Sequence, residues 1–124
     1  MKAEAAFSAS FQLWCGKQGY IVLRLNSGKA WEGVLIHHPE LGPILIKLRR
    51  ISMCHTGTSD LLVLMPKGQA VFVETKAGKY KATKEQIAFI RAVRGLGYKA
   101  GVIRSIEDFK KIVDPHIKNI SCEN

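Results

Sequence analysis

Apolar positions recur along the chain with two periods, and the change from one to the other marks the elements. In "AEAAFSASFQLWC", from about residue 3 to 15, Phe7, Phe11 and Trp14 stand four and three apart, which predicts an amphipathic first helix with its aromatics in the core. "YIVLRLN", Tyr20 to Asn26, reads as a strand closed by the turn residues of "NSGK". Two β-rich runs follow, "AWEGVLIHH" and "PILIKLRRISM", around "PELG", and predict a hairpin between Ala30 and Met53. After the loop "CHTGTS" comes a second hairpin. Leu61 to Met65 and Val71 to Val73 are its strands, joined at Pro66-Lys67-Gly68. "ATKEQIAFIRAVRGLG" gives the clearest helix signal: Thr83 as cap, Gln86 at the capping-box position, an Ile87, Ile90, Val93 stripe, and Gly95 or Gly97 to end it. A strand from Tyr98 to Arg104 precedes a last helix capped by Ser105, carrying Ile106, Phe109, Ile112 and Val113, and bent or broken at Pro115.

The order helix, strand, hairpin insertion, hairpin, helix, strand, helix predicts an α+β fold, a central mixed sheet flanked by helices. Leu61 to Met65 and Val71 to Val73 are apolar at successive positions, as strands covered on both faces are, so the second hairpin belongs in the middle of the sheet. With 124 residues the chain is read as one domain, 1–124. Near Met1 to Phe11 polar residues and Glu4 interrupt any signal peptide, and no apolar run approaches the ~20 residues of a membrane span. A soluble cytoplasmic chain is expected. Cys15, Cys54 and Cys122 are odd in number and lack paired spacing, so free thiols are expected and a structural zinc site is not; His37-His38 and Cys54-His55 complete no ligand set.

The central hairpin is bounded by charge: Asp60 at its start, Glu74 and Lys76 at its finish. Antiparallel folding brings those two ends to the same edge of the sheet, and a three-residue turn sets Asp60 opposite residue 74 or 76. Glu74 and Lys76, two apart, share a face, with Thr75 on the other. Two carboxylates beside an apolar layer repel and are costly to desolvate, which raises a pKa or demands a counter-charge. A divalent cation meets that demand, and Mg2+ characteristically combines one or two carboxylates with waters and substrate phosphate. Lys76 then offers an ammonium to a water or to a phosphate. The plainer reading is a Glu-Lys pair on an exposed edge with Asp60 capping a turn. Gln86 likewise admits two readings, one reaching the metal site or the scissile phosphate and one closing the capping box with Thr83.

Charge points to the partner. Nineteen Lys and Arg against ten Asp and Glu give a net charge of +9, with a pI near 9.7, a field that attracts polyanions. Lys67, Lys76, Lys79, Lys81 and Lys84 gather around the second hairpin, and "AGKYK" leads into a helix whose N-terminus suits a phosphate. Neither common glycine-rich phosphate loop is present, nor a GxSxG serine nucleophile.

"RLNSG", "GTSDLLV", "VFVETKAGKYKATKEQ" and "GYKAGVIRSIEDF", in this order and spacing, resemble the VRR-NUC family of virus-type replication-repair nucleases within the PD-(D/E)XK superfamily. The resemblance spans about Tyr20 to Phe109 and implies a restriction-endonuclease-like core. It implies a metal-dependent DNA endonuclease acting in replication, repair or recombination, with Mg2+ as cofactor and Mn2+ able to substitute. Carried over by position, Asp60, Glu74 and the Thr75 backbone carbonyl ligate the cation, Lys76 is the motif lysine, and Gln86 is the glutamine of the following helix. Glu4 resembles the acidic residue of the family's first helix, acting through a water. Arg24 and Asn26 touch DNA or brace the first turn, and Lys79, Tyr80, Lys81 and Lys84 face DNA. Ser59 stands where the superfamily name has proline, a residue that shapes backbone and does no chemistry. Stand-alone members of this type resemble Holliday junction resolvases, which implies a homodimer, a branched or four-way junction substrate, and a phage or bacterial setting. Residues 29–55 carry no chemical motif and are left to embrace substrate or to make a subunit contact. A non-catalytic DNA-binding module on the same fold, or a nuclease that needs a partner, remains the alternative.

Overall fold

The computed structural model describes residues 2–25, 29–52 and 57–114. Helix α1, Lys2–Lys17, leads into β1, Ile21–Arg24; β2, Lys29–His38, and β3, Gly42–Ser52, follow. Next come β4, Leu61–Met65, a 3-10 turn at Pro66–Gly68, β5, Gln69–Thr75, α2, Lys84–Gly95, β6, Lys99–Ile103, and α3, Ile106–Val113. Strands β1, β4, β5 and β6 form one sheet in that order, while among the described residues β2 and β3 pair with each other as a separate ribbon. The main sheet is mixed, antiparallel between β1 and β4 and between β4 and β5, and parallel between β5 and β6. This is the α+β architecture that the hydrophobic pattern predicts.

The two doubly apolar strands, β4 and β5, occupy the centre because only there are both of their faces covered. On one face Leu61, Val63, Val71 and Val73 bury against Phe11 and Cys15 of α1, Ile103 of β6 and Phe109 of α3. Phe11 and Phe109 meet edge to face, 5.0 Å between centroids, and each such aliphatic side chain withdrawn from water contributes ~1.5–3 kcal/mol. On the other face Phe72 packs edge to face on Phe89 of α2 at 5.5 Å, beside Ile90, Val93, Ala100 and Val102. Two helices thus cover one side and α2 the other.

The α2 stripe departs from its prediction. Ile87 is exposed, while Ile90 and Val93 are buried and Phe89 joins them. The inward face is centred on Gln86, Ile90 and Val93, and turning Gln86 toward the sheet moves Ile87 to the flank. Lys67 sits in the Pro66–Gly68 turn, as the sequence reading has it, with φ +66 and at the opposite end of the β4–β5 hairpin from Glu74.

In the ribbon, the register shifts between Glu32 and Val34, where Lys47 adopts φ +54. The bulge needs Gly33, since a Cβ there would lie 2.7 Å from the Ile46 carbonyl oxygen and 2.9 Å from Leu48 Cδ2. No helix among the described residues is long and apolar enough to cross a membrane. Asn26, Cys54, His55, Pro115 and Cys122 lie outside the described residues.

Candidate active site

The turn sets the site. With Pro66–Gly68 between the strands, Met65 pairs with Gln69 and Leu61 with Val73, which carries the ladder outward to Asp60 beside Glu74. The Asp60 N–H donates to Glu74 Oε1 at 3.2 Å. Its carboxylate reaches across the end of β5, where Oδ2 accepts from the Thr75 N–H at 2.9 Å and from the Thr75 hydroxyl at 2.5 Å. The Asp60 carbonyl accepts from the Leu25 N–H at 2.7 Å, tying the end of β1 to the same corner. Just upstream, Ser59 is buried and donates its hydroxyl to the Leu61 carbonyl at 3.3 Å. Gly57, at φ +92, passes so close to α2 that a Cβ would fall 2.5 Å from the Glu85 carbonyl oxygen. That approach brings the strand entry against the start of α2.

Glu74 is 1% exposed. Its Oε2 accepts from the Gln86 side-chain amide at 2.8 Å and lies 3.6 Å from Lys76 Nζ. Burial, then the neighbouring Asp60 charge, push its carboxyl up to about 7 from an ordinary 4.5; Lys76 pulls the other way. A carboxyl in this state is an acid still short of positive charge. Gln86 closes the capping box and reaches Glu74 as well: its Oε1 accepts from the Thr83 N–H at 2.8 Å, its own N–H donates to Thr83 Oγ1 at 3.1 Å, and its side-chain amide donates to Glu74. The capping box fixes the α2 start and aims the glutamine in one arrangement.

The basic rim follows directly. Lys79, Tyr80, Lys81 and Lys84 are exposed on the loop and first turn ahead of α2. Arg104, just past β6, holds that loop: Nε donates to the Gly78 carbonyl at 3.2 Å and an Nη to the Tyr80 carbonyl at 2.6 Å. Its own N–H donates to Asp108 in the first turn of α3 at 2.8 Å. Arg24 is exposed at the end of β1. Glu4, half-buried in the first turn of α1, makes no hydrogen bond or ion pair among the described residues, and α1 packs on the sheet face opposite the one carrying Phe72 and Glu74. The arrangement therefore assembles Asp60, Glu74, Lys76 and Gln86, and Glu4 makes no direct contact with them among the described residues. Three contributors escaped the sequence reading: the Thr75 side chain, Gly57 and Arg104. Only Gly57 left a signal, as a glycine three residues before the acid.

The donor set suits a hard cation. No cluster of three or more His, Cys, Asp and Glu side chains with metal-holding geometry occurs among the described residues. Two adjacent carboxylates, one buried with a raised pKa, and the nearby Thr75 backbone match the few-carboxylate habit of Mg2+, which fills its remaining positions with water and phosphate oxygens.

The family model of the VRR-NUC domain matches residues 4–107. A solved structure described as a VRR_NUC domain superposes with a TM-score of 0.58 at 18% identity, over 92% of this chain and 97% of that one, which shows the shared fold. No curated protein matches.

Proposed function

Since the chain belongs to the VRR-NUC domain family, a family of nuclease type, we propose that it is a Mg2+-dependent DNA endonuclease hydrolysing phosphodiester bonds in branched or four-way DNA, working as a homodimer. The observation that carries this reading is the unbroken set of contacts from Thr75 through Asp60 and Glu74 to Lys76 and Gln86 at one end of the central hairpin. On this reading Asp60, Glu74 and the Thr75 carbonyl would hold the cation. When bound, Mg2+ supplies Lewis acidity toward the scissile phosphate, and Mn2+ does the same.

The chain's own groups do the rest. The Thr75 N–H and hydroxyl fix the Asp60 carboxylate, and the Gln86 amide fixes that of Glu74, so neither has to reorient during the reaction. Lys76, anchored through its N–H to the Ile103 carbonyl at 3.1 Å, keeps its ammonium beside Glu74, where it orients the attacking water and offsets charge gathering on the phosphate. Lys79, Tyr80, Lys81 and Lys84 hold the DNA backbone, and Arg24 at the end of β1 extends that surface. A two-fold dimer presents two such centres to the paired strands of a junction.

Cleavage of labelled four-way junction, duplex and single-stranded DNA, with Mg2+, Mn2+, Ca2+ or EDTA, tests the reading. The expected result is junction cleavage with Mg2+ or Mn2+, none in EDTA, and none by Glu74→Ala. Turnover that persists in EDTA or in Glu74→Ala overturns the metal mechanism; metal-independent binding without turnover leaves a DNA-binding module.

A further inference from the structure

The β2–β3 ribbon, with strands of 10 and 11 residues, is rooted at the corner that carries the candidate active site. The Leu25 N–H donates to the Asp60 carbonyl at 2.7 Å, so the chain leaves the main sheet for the ribbon at the place where it returns. Trp31 and Arg50 oppose each other across the two strands, in the third pair counted from Lys29 with Ser52. Six chain steps separate Trp31 from Leu25, a span of at most about 22 Å. A group on this part of the ribbon is therefore close enough to touch the same DNA that enters the site.

The ribbon face that carries this pair continues through Leu48, lying over Gly33, to Leu35 and its partner Leu45. Trp31 and the three leucines are each between 50% and 59% exposed. The Arg50 guanidinium lies over the Trp31 ring at 5.6 Å. No carboxylate among the described residues pairs with it, since Glu32 is taken by Arg49 at 2.6 Å. An open indole, a cation stacked on it with donors to spare, and an apolar strip beside both thus lie on one surface.

We propose that this face binds an unpaired nucleobase of the DNA: the base stacks on the Trp31 ring, the phosphate beside it meets the Arg50 guanidinium, and Leu35, Leu45 and Leu48 take up the neighbouring sugars and base faces. Aromatic rings and guanidinium planes bind bases that have left a helical stack, and do so whatever the sequence, because every base has a flat face. A closed duplex keeps those faces against one another and shows the protein only phosphates and base edges, so the ring gains nothing from it. A wholly apolar partner would cover the leucines and leave the guanidinium without a counter-charge, whereas a nucleotide satisfies ring and cation together. The charges favour the same occupant: Lys47, Arg49 and Arg50 are exposed on the ribbon, and a second copy would bring a like charge of +9. Trp31 is then the residue by which the chain prefers distorted or branched DNA, where bases stand unpaired, over intact duplex. This inference names the DNA feature that the proposed nuclease selects and rests on the DNA-binding part of that reading.

Binding of the full chain to a short oligodeoxythymidylate and to a blunt duplex of the same length, both in Ca2+, tests the site, with far-UV circular dichroism confirming that each variant is folded. Trp31→Ala is expected to weaken oligodeoxythymidylate binding by about 5–150-fold, the usual cost of losing one stacked base, and to leave duplex affinity unchanged. Its slope of log affinity against log salt should stay as it was, while Arg50→Gln should flatten that slope by about 0.7 for the one phosphate released. Tryptophan fluorescence should be quenched by oligodeoxythymidylate in the unmodified chain. Trp31→Phe should keep most of the affinity and lose the quench, since Trp14 packs against the core. Unchanged oligodeoxythymidylate affinity in Trp31→Ala overturns the base site, and cleavage that persists in that variant leaves the nuclease reading standing. Equal losses on both DNAs, with a change of sedimentation mass in Trp31→Ala, assign the face to a second copy and overturn it as well. An unmodified chain that shows the stacking but cleaves no DNA in Mg2+ overturns the nuclease reading and supports the base site; one that binds neither DNA overturns both.

Discussion

Glu74 carries the charge that the fold resists. With its carboxyl raised to about 7, the folded chain holds a proton between about 4.5 and 7 that the unfolded chain has released. This contribution to stability is therefore full below 4.5 and is lost as pH rises through 7, a change on the order of 3 kcal/mol. Urea unfolding of the metal-free chain in EDTA should show that decline, and Asp60→Asn, which removes the neighbouring charge while its amide oxygen still accepts from Thr75, should move it to lower pH. The same substitution separates stability from chemistry: Asp60→Asn is expected to abolish cleavage without unfolding the protein. Lys76→Met should leave DNA binding in Ca2+ intact, measured by fluorescence anisotropy, and lower single-turnover cleavage in Mg2+ by about 10²–10³-fold, the usual loss for one group stabilising transition-state charge.

At the scale of elements, what matters is how the strand entry and the α2 start are held together. Thr83→Ala removes the cap and half of the box, costing about 1 kcal/mol and letting Gln86 swing, so the melting temperature and the cleavage rate should fall together. Gly57→Ala places a methyl against the Glu85 carbonyl at a φ that L residues avoid; a loss of about 1–3 kcal/mol is expected from thermal unfolding. Much of this arrangement was legible in the amino-acid order. Strand periodicity and a three-residue turn place Asp60 beside Glu74, and spacing alone gives the Thr83–Gln86 box. The orientation of α2 was not legible, because Ile87 and Phe89 are both strongly apolar and spacing does not say which one packs; in the fold Gln86 faces Glu74 and Phe89 packs on Phe72. Nor was the Thr75 hydroxyl, since strand alternation predicts it on the far face and gives no account of a carboxylate leaning over the strand end. Arg104 was unreadable for a different reason: its partners are backbone carbonyls, which every residue owns.

Across the whole molecule, the net charge of +9 and the exposed amines beside α2 should make DNA affinity fall steeply with salt. Replacing Lys79, Lys81 and Lys84 together by Gln should flatten the slope of log affinity against log salt by about 2–3, if each contacts one phosphate; anisotropy titrations in Ca2+ from low to moderate salt measure it. The amines do not ride on a free loop. The guanidinium of Arg104 rivets the peptide carrying Lys79 and Tyr80 to the exit of β6, and the neighbouring amide is itself secured to the first turn of α3. If those amines hold DNA as proposed, a strand drawn taut against them pulls on the sheet and not on a swinging flap, and its tension is delivered to the corner that carries Asp60 and Glu74.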